Sequence, residues 1–171
     1  MKRTLTISVL LLVLGGCSNE VPSHKLQDRG GLIYEVNSQT PFTGSYADYY
    51  ENGQLSFTGN YKDGKLEGLQ EEYYENGQLQ IKRKWKNGKK HGLEESYYED
   101  GQLKKRGNFK DGKQEGLWEY YYENGQLEYK ANYKDGKFDG LWERYGDDGR
   151  LREKANYKDG KKGIYIDPNS Q

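Results

Sequence analysis

The sequence predicts an all-β protein, an elongated single-layer antiparallel β-meander of tandem 24-residue repeats behind a signal peptide. Three observations carry that prediction. Glycine recurs in strict register. One glycine opens each unit (Gly44, Gly68, Gly92, Gly116, Gly140), a second follows nine residues on (Gly53, Gly77, Gly101, Gly125, Gly149), and a third eleven later (Gly64, Gly88, Gly112, Gly136, Gly160). Between the glycines the same side chains return: Tyr49, Tyr73, Tyr97, Tyr121 and Tyr145; Leu55, Leu79, Leu103, Leu127 and Leu151; and an aromatic at Tyr61, Trp85, Phe109, Tyr133 and Tyr157. Turn dipeptides punctuate each unit, as at Asn76-Gly77 and Asn87-Gly88 or Asp111-Gly112. Recurrence on this scale marks a stacked array in which each unit buries its face against the next.

Asn-Gly and Asp-Gly supply the positive φ of tight hairpins, so a unit reads as strand, turn, strand, turn with strands of about seven to nine residues. Neighbouring strands lie about 4.8 Å apart, which places equivalent residues about 9.6 Å apart in ladders and makes roughly a dozen strands about 55 Å long. Cross-strand aromatic pairs and nearest-neighbour contacts stabilise such an array more than one deep core does. Period-two alternation sorts the side chains into faces. In the fourth unit Leu117, Glu119 and Tyr121 point one way along the first strand, and Leu127, Tyr129, Ala131 and Tyr133 share a face of the second. The constant Tyr, Trp, Leu and small residues predict one fixed face. The other parity carries Trp118, Tyr120 and Tyr122 here but Glu94, Ser96 and Tyr98 one unit earlier, which predicts a variable, wetter face.

Mean hydropathy is −1.21 and 32% of residues are hydrophobic, a composition close to that of disordered chains. The 17 tyrosines and regular turns argue for order instead. With 27 basic and 27 acidic residues there is no basic surface to hold phosphates, which excludes nucleic acid as a partner class. The lysines of the segment 82–90 and of Lys104-Lys105-Arg106 read as solvated strand faces.

The N-terminus concerns location. Met1-Lys2-Arg3 is positive, Leu5 to Leu14 is apolar, and Leu14-Gly15-Gly16-Cys17 follows. Residues 1–16 read as a signal peptide too short to span a bilayer, with cleavage between Gly16 and Cys17. Those last four residues resemble the lipobox of bacterial lipoproteins, which implies that Cys17 is the lipid attachment site and the leader a lipoprotein signal peptide. Cys17 is the only cysteine, and a thioether-linked diacylglycerol removes a free thiol from an oxidising compartment. At about 0.8 kcal/mol per buried methylene, two or three acyl chains anchor a protein stably. Cleavage takes Lys2 and Arg3 from the 27 basic residues, leaving 25 against 27 acidic ones, so the lipid alone is expected to hold the chain. Ser18 after the cysteine resembles the outer-membrane sorting class, which implies the periplasmic face of an outer membrane in a double-membrane host.

Residues 17–29 then read as the lipidated cysteine and a polar tether containing Pro22. Residues 30–43 form an irregular N-terminal cap, with Leu32-Ile33-Tyr34-Glu35-Val36 and Pro41-Phe42-Thr43 leading into the five repeats at 44–161. Gly163 falls one residue short of the glycine register and Ile164-Tyr165-Ile166 stops at Asp167-Pro168, so residues 162–171 read as a C-terminal cap and tail. Sheet edges need such protection against strand addition.

The unit from Gly116 to Leu127 (Gly-Leu-Trp-Glu-Tyr-Tyr-Tyr-Glu-Asn-Gly-Gln-Leu), followed by Asn132-Tyr133-Lys134-Asp135-Gly136-Lys137, resembles the MORN repeat variant. The resemblance runs from Phe42 to Ile164. With a lipoprotein signal and Pro41-Phe42-Thr43-Gly44 at its start, the chain resembles a bacterial group known as toxin–antitoxin system antitoxins. The family implies a non-enzymatic module that binds other proteins, and it brings no catalytic positions.

Chemistry is sparse in the residues themselves. Glu71, Glu95, Glu119 and Glu143 form a ladder at about 9.6 Å spacing, close to the roughly 6.5–9.5 Å of inverting glycosidases. A catalytic pair needs two unlike environments, whereas a ladder repeats one, so tyrosine hydrogen bonds or lysine pairing is the expected role. His24 and His91 stand apart with no zinc set, and no Gly-rich loop precedes a helix. No cofactor and no metal site is expected. Tyr74, Tyr98, Trp118, Tyr122 and Trp142 are the candidate partner-binding residues, because exposed aromatics dominate interface energies. The expected function is a non-catalytic, lipid-anchored protein-interaction module of the cell envelope. Its partner would be a toxin, occluded by an antitoxin or immunity protein, or an envelope component. The alternative is an envelope glycan-binding or scaffold lipoprotein, with the aromatic rings as sugar platforms.

Overall fold

The computed structural model describes residues 20–163; the expected signal peptide, Gly16, Cys17 and Ile164-Tyr165-Ile166 lie outside the described residues. A short 3-10 turn at Ser23–Lys25 precedes a hairpin of β1 (Leu26–Arg29) and β2 (Leu32–Glu35). The repeats follow as β3 (Gly44–Tyr49), β4 (Leu55–Lys62), β5 (Lys65–Leu66), β6 (Gly68–Tyr73), β7 (Leu79–Lys86) and β8 (Lys89–Tyr97). They continue with β9 (Leu103–Lys110), β10 (Lys113–Tyr121), β11 (Leu127–Lys134), β12 (Lys137–Tyr145), β13 (Leu151–Lys158) and β14 (Lys161–Lys162). β3 to β14 make one 12-stranded antiparallel sheet in chain order, except that β5 and β6 both pair with β4, an open meander as expected.

Two turn chemistries alternate. At the short turns both central residues take positive φ, for example Asp111 at 51° and Gly112 at 85°, the signature of a type I′ hairpin. At the longer turns only the glycine does so, as with Gly53 at 83°. There the asparagine works through its side chain: Asn52 Oδ1 accepts the Gln54 N–H at 2.9 Å, and the Tyr50 N–H donates to the Gln54 carbonyl at 2.8 Å.

The unit-opening glycines mark bends rather than turns. Glu115 pairs Asn108 and Glu119 pairs Arg106, so three residues of β10 oppose the single Gly107 of β9. The same excess recurs in β8 around Gly92 and in β12 around Gly140, whose φ values are 103° and 112°. Bulges bend a strand and sharpen its twist. Rings from the two limbs meet inside the bend, with Phe109 against Trp118 at 5.0 Å and 84°.

Register also corrects the expected faces. Trp118 stands opposite Ala131 and Tyr120 opposite Tyr129, so the parity expected to be wet joins the aromatic side of the second strand. Trp118 and Ala131 are 0% exposed, whereas Leu117 is 46% exposed. Strand-by-strand alternation cannot show which parities coincide across a hairpin, because one bulged residue reverses the answer. The dry side therefore carries Tyr46, Gln70, Glu94, Trp118 and Trp142 at one repeat position, and Gly59, Arg83, Gly107, Ala131 and Ala155 at the position across from it.

Both ends are finished differently from the repeats. The segment expected to be a tether is structured from Val21 onward. Val21 forms a parallel bridge to Tyr46, and Ser23 hydrogen bonds Asp48 through its N–H and hydroxyl, supplying partners to the edge strand β3. The cap hairpin joins the first short turn through the Ile33 N–H to Gly64 carbonyl bond at 2.9 Å. At the other end Gly163 N–H donates to Asn156 O at 2.7 Å, the bond that Glu67 N–H makes to Asn60 O at 2.9 Å. The backbone thus keeps the 24-residue register through Gly163, and only the glycine itself has shifted.

Candidate functional site

Three ladders tie neighbouring repeats together, and a fourth runs partly within each repeat and partly between them. At the long turns the hydroxyls of Tyr50, Tyr74, Tyr98 and Tyr122 donate to the carbonyls of Tyr73, Tyr97, Tyr121 and Tyr145 at 2.6, 2.8, 2.7 and 3.0 Å. Beside them Asn52, Asn76 and Asn124 amides donate to Glu75, Glu99 and Asp147 carbonyls at 2.9, 3.0 and 2.9 Å. At the short turns Glu67, Glu115 and Asp139 carboxylates accept the N–H of Asn87, Asp135 and Asp159 in the following turn. His91 takes that place in the third repeat, with Nδ1 3.4 Å from Asp111 Oδ1.

The fourth ladder is the glutamate row. Glu71 and Glu95 accept the hydroxyls of Tyr73 and Tyr97 at 3.0 and 3.2 Å, and Glu119 takes Arg106 Nε at 2.6 Å. Glu143 binds Lys130 at 2.7 Å, Lys154 at 3.1 Å and the Tyr145 hydroxyl at 2.9 Å. Lys82, Arg106, Lys130 and Lys154 alternate with the glutamates across the strands. The Lys130 hydrogen bond, with help from Lys154 and Tyr145, outweighs burial and pulls the Glu143 carboxyl from 4.5 down to about 2. The general acid of glycoside hydrolysis needs its pKa raised, so this member is tuned the wrong way for that role.

Glu94 lies on the dry face at 2% exposure. Burial pushes its carboxyl up, but Lys90 at 2.7 Å and Lys105 at 3.0 Å reverse the direction and hold it below the ordinary range. The buried ion cluster interrupts the aromatic row between Trp85 and Trp118.

The structure separates the five candidate binding aromatics. Trp118 is enclosed by Phe109, Tyr120 and Tyr133, and its Nε1–H donates to the Asn108 carbonyl at 3.1 Å, so it packs and is not presented. Trp142 is half-buried against Tyr129 and Tyr157. Tyr74, Tyr98 and Tyr122 keep half-buried rings while their hydroxyls serve the inter-repeat ladder. Tyr74 and Tyr98 line one groove of about 360 Å³ together with Ile81, Ser96, Lys104 and Tyr120. Ser96, assigned by its parity to the wetter face, is instead buried in this groove, and it is the one small residue in the series Asp48, Glu72, Ser96, Tyr120, Arg144.

Among the described residues no group of three or more His, Cys, Asp or Glu side chains could hold a metal ion, and no helix is long and apolar enough to cross a membrane. No curated protein matches the chain. Among solved structures, one similar chain belongs to the GtfA/B complex bound to UDP and GlcNAc, with 14% identity over 76% of this chain and 28% of that chain. The TM-score is 0.26, so this likeness carries no argument about function. The MORN repeat variant profile matches five segments, residues 42–63, 66–87, 90–111, 114–135 and 138–159. With most of the described sheet covered by those matches, the chain belongs to the MORN repeat variant family.

Proposed function

We propose that the protein is a lipid-anchored interaction module of the bacterial envelope, held by acyl chains on Cys17 and binding another protein through its sheet. MORN repeats are in general protein- or membrane-interaction modules, and this all-β fold is typically non-enzymatic. The observation that carries the reading for this chain is the division of labour in the ladders. Tyrosine hydroxyls, asparagine amides and turn N–H groups donate to backbone carbonyls and carboxylates of neighbouring repeats, while the rings of Tyr74 and Tyr98 line a groove. Such a surface recognises and does not transform. Its partner is a toxin neutralised by occlusion or an envelope component, and the toxin reading rests on the resemblance to the antitoxin group of lipoprotein-type repeat chains rather than on any one residue.

Crosslinked affinity capture from native membranes tests this reading, with Cys17→Ser as the unanchored control. The acylated chain should fractionate with membranes and bring down one toxin partner, and Cys17→Ser should be soluble. Co-expression then decides the toxin assignment. Equal killing by the captured partner in cells with and without this protein sinks it. The groove-lining tyrosine rings favour envelope glycan binding as the second reading, for which the protein would sediment with purified cell wall and lose that binding in Tyr98→Ala.

A further inference from the structure

The repeats themselves show what the groove lacks. In the fourth repeat Tyr120 lies on Tyr129, ring centroids 4.0 Å apart and planes 13° apart. One repeat earlier the same place holds Ser96, which stands opposite Ile81 on β7 and Lys105 on β9. A phenol ring is replaced by a hydroxymethyl group, and the groove opens there. Ser96 is 5% exposed, and its Oγ is buried without a hydrogen-bond partner. A buried hydroxyl left in that condition is unfavourable, and a ligand group that bonds to it recovers the loss.

The rim has a charge as well as a shape. Glu128 lines the notch, and Glu99, Asp100 and Glu123 line the adjoining stretch beyond Tyr98. Of the two nearby lysines, Lys105 is held 3.0 Å from Glu94 and Lys104 sits over the Tyr98 ring at 5.1 Å. Burial, and then the charges of Glu123, Glu128 and Asp100, push the Tyr98 phenol above its ordinary value, as an acidic rim must. The opening therefore combines tyrosine walls, an acceptor at its floor and surplus negative charge at its edge.

We propose that the Ser96 notch is the anchor site of the interaction surface and takes the aromatic side chain of a partner protein, flanked in that partner by Lys or Arg. The ring enters beside Tyr98 and Tyr120, its O–H or N–H donates to Ser96 Oγ, and the flanking cation meets the carboxylates of Glu99, Asp100, Glu123 and Glu128. Central aromatics of this kind, sealed from water by their surroundings, dominate protein interfaces. This rests on the reading of the sheet as a protein-binding surface, and it names where and by what chemistry.

The test is a titration of the mature acylated chain in detergent micelles, followed by NMR at the Ile81 methyl and the tyrosine rings. N-acetyl-tyrosyl-lysinamide should shift these signals saturably. N-acetyl-leucyl-lysinamide and N-acetyl-tyrosyl-glutamamide should bind at least tenfold more weakly. Ser96→Tyr, which puts a ring at the position Tyr120 holds one repeat later, should lose the tyrosyl-lysinamide response at least tenfold with an unchanged far-UV spectrum, and Ser96→Val, which removes the acceptor, serves if that variant does not fold. Equal binding by wild type and the filled variant, no saturable shift, or binding of an N-acetylglucosamine disaccharide in place of the dipeptide overturns the proposal. In membrane capture, a partner retained by Ser96→Tyr at wild-type yield overturns the notch and leaves the interaction module standing. Failure of both to capture a partner sinks the module instead, while the dipeptide titration still decides the notch.

Discussion

Gly107 lies so close beneath the ring of Trp118 that a Cβ built on it would stand 2.1 Å from the indole Cδ2. Its φ is not positive, so the requirement is space and not backbone conformation. The bulge of β10 opposite Gly107 swings the indole over the neighbouring strand, and only a hydrogen at that position lets the ring close the bend.

Gly107→Ala is therefore expected to destabilise the sheet by about 3 kcal/mol, the upper range for overpacking. Urea unfolding of the variant measures it. A loss below about 0.5 kcal/mol, the range of neutral surface changes, would mean that the ring moves aside freely.

Removing one rung of the tyrosine ladder leaves a carbonyl without its donor. Tyr98→Phe should cost about 1 kcal/mol and speed amide exchange at the junction of the third and fourth repeats. Tyr50→Phe should do the same at the junction of the first and second repeats, and the two effects should add, because a linear array couples only neighbours. Loss of protection across the whole sheet from either change would contradict that local coupling.

The asparagine ladder has a gap at Asp100, a side chain that cannot donate to the next turn, and its carboxylate accepts from Gln102 instead. Asp100→Asn should complete the series set by Asn52, Asn76 and Asn124. A stabilisation of about 0.5–1 kcal/mol is expected, read as a rise in Tm of roughly 1–4 °C. An unchanged or lower Tm would show that the Gln102 contacts already compensate.

Glu143 links stability to pH. Its carboxyl is held near 2 in the folded chain by Lys130, then Lys154 and Tyr145, against an ordinary value of 4.5. The contribution is fully present above about pH 4.5 and is lost as pH falls through 2. The two lysines are 34% and 36% exposed, so solvent screening reduces the contribution to about 2 kcal/mol. Glu143→Gln should flatten the fall in stability between pH 4.5 and 2, and a wild-type slope in the variant would reject the assignment.

The repeats were legible from the residues because their determinants are local. Asp111-Gly112 and its counterparts supply the backbone conformation of a two-residue hairpin wherever they occur, and the uninterrupted 24-residue spacing fixes chain-order pairing. The glutamate row was legible too, since Tyr97 and Glu95 lie two apart on one strand and meet on one face. The tether was not. Its polar residues read as linker, and Val21 and Ser23 are held by Ser45 and Asp48 of β3, partners more than 20 residues away.

Residue order alone thus determined an all-β meander and its turns, because backbone conformation at glycine, asparagine and aspartate is set within a few residues. Tertiary structure decided which face is dry, why Trp118 is enclosed while Tyr98 lines a groove, and where Ser96 leaves a notch. Those outcomes depend on register across hairpins and on the bend at each bulge, where a shift of one residue exchanges the two faces of a strand.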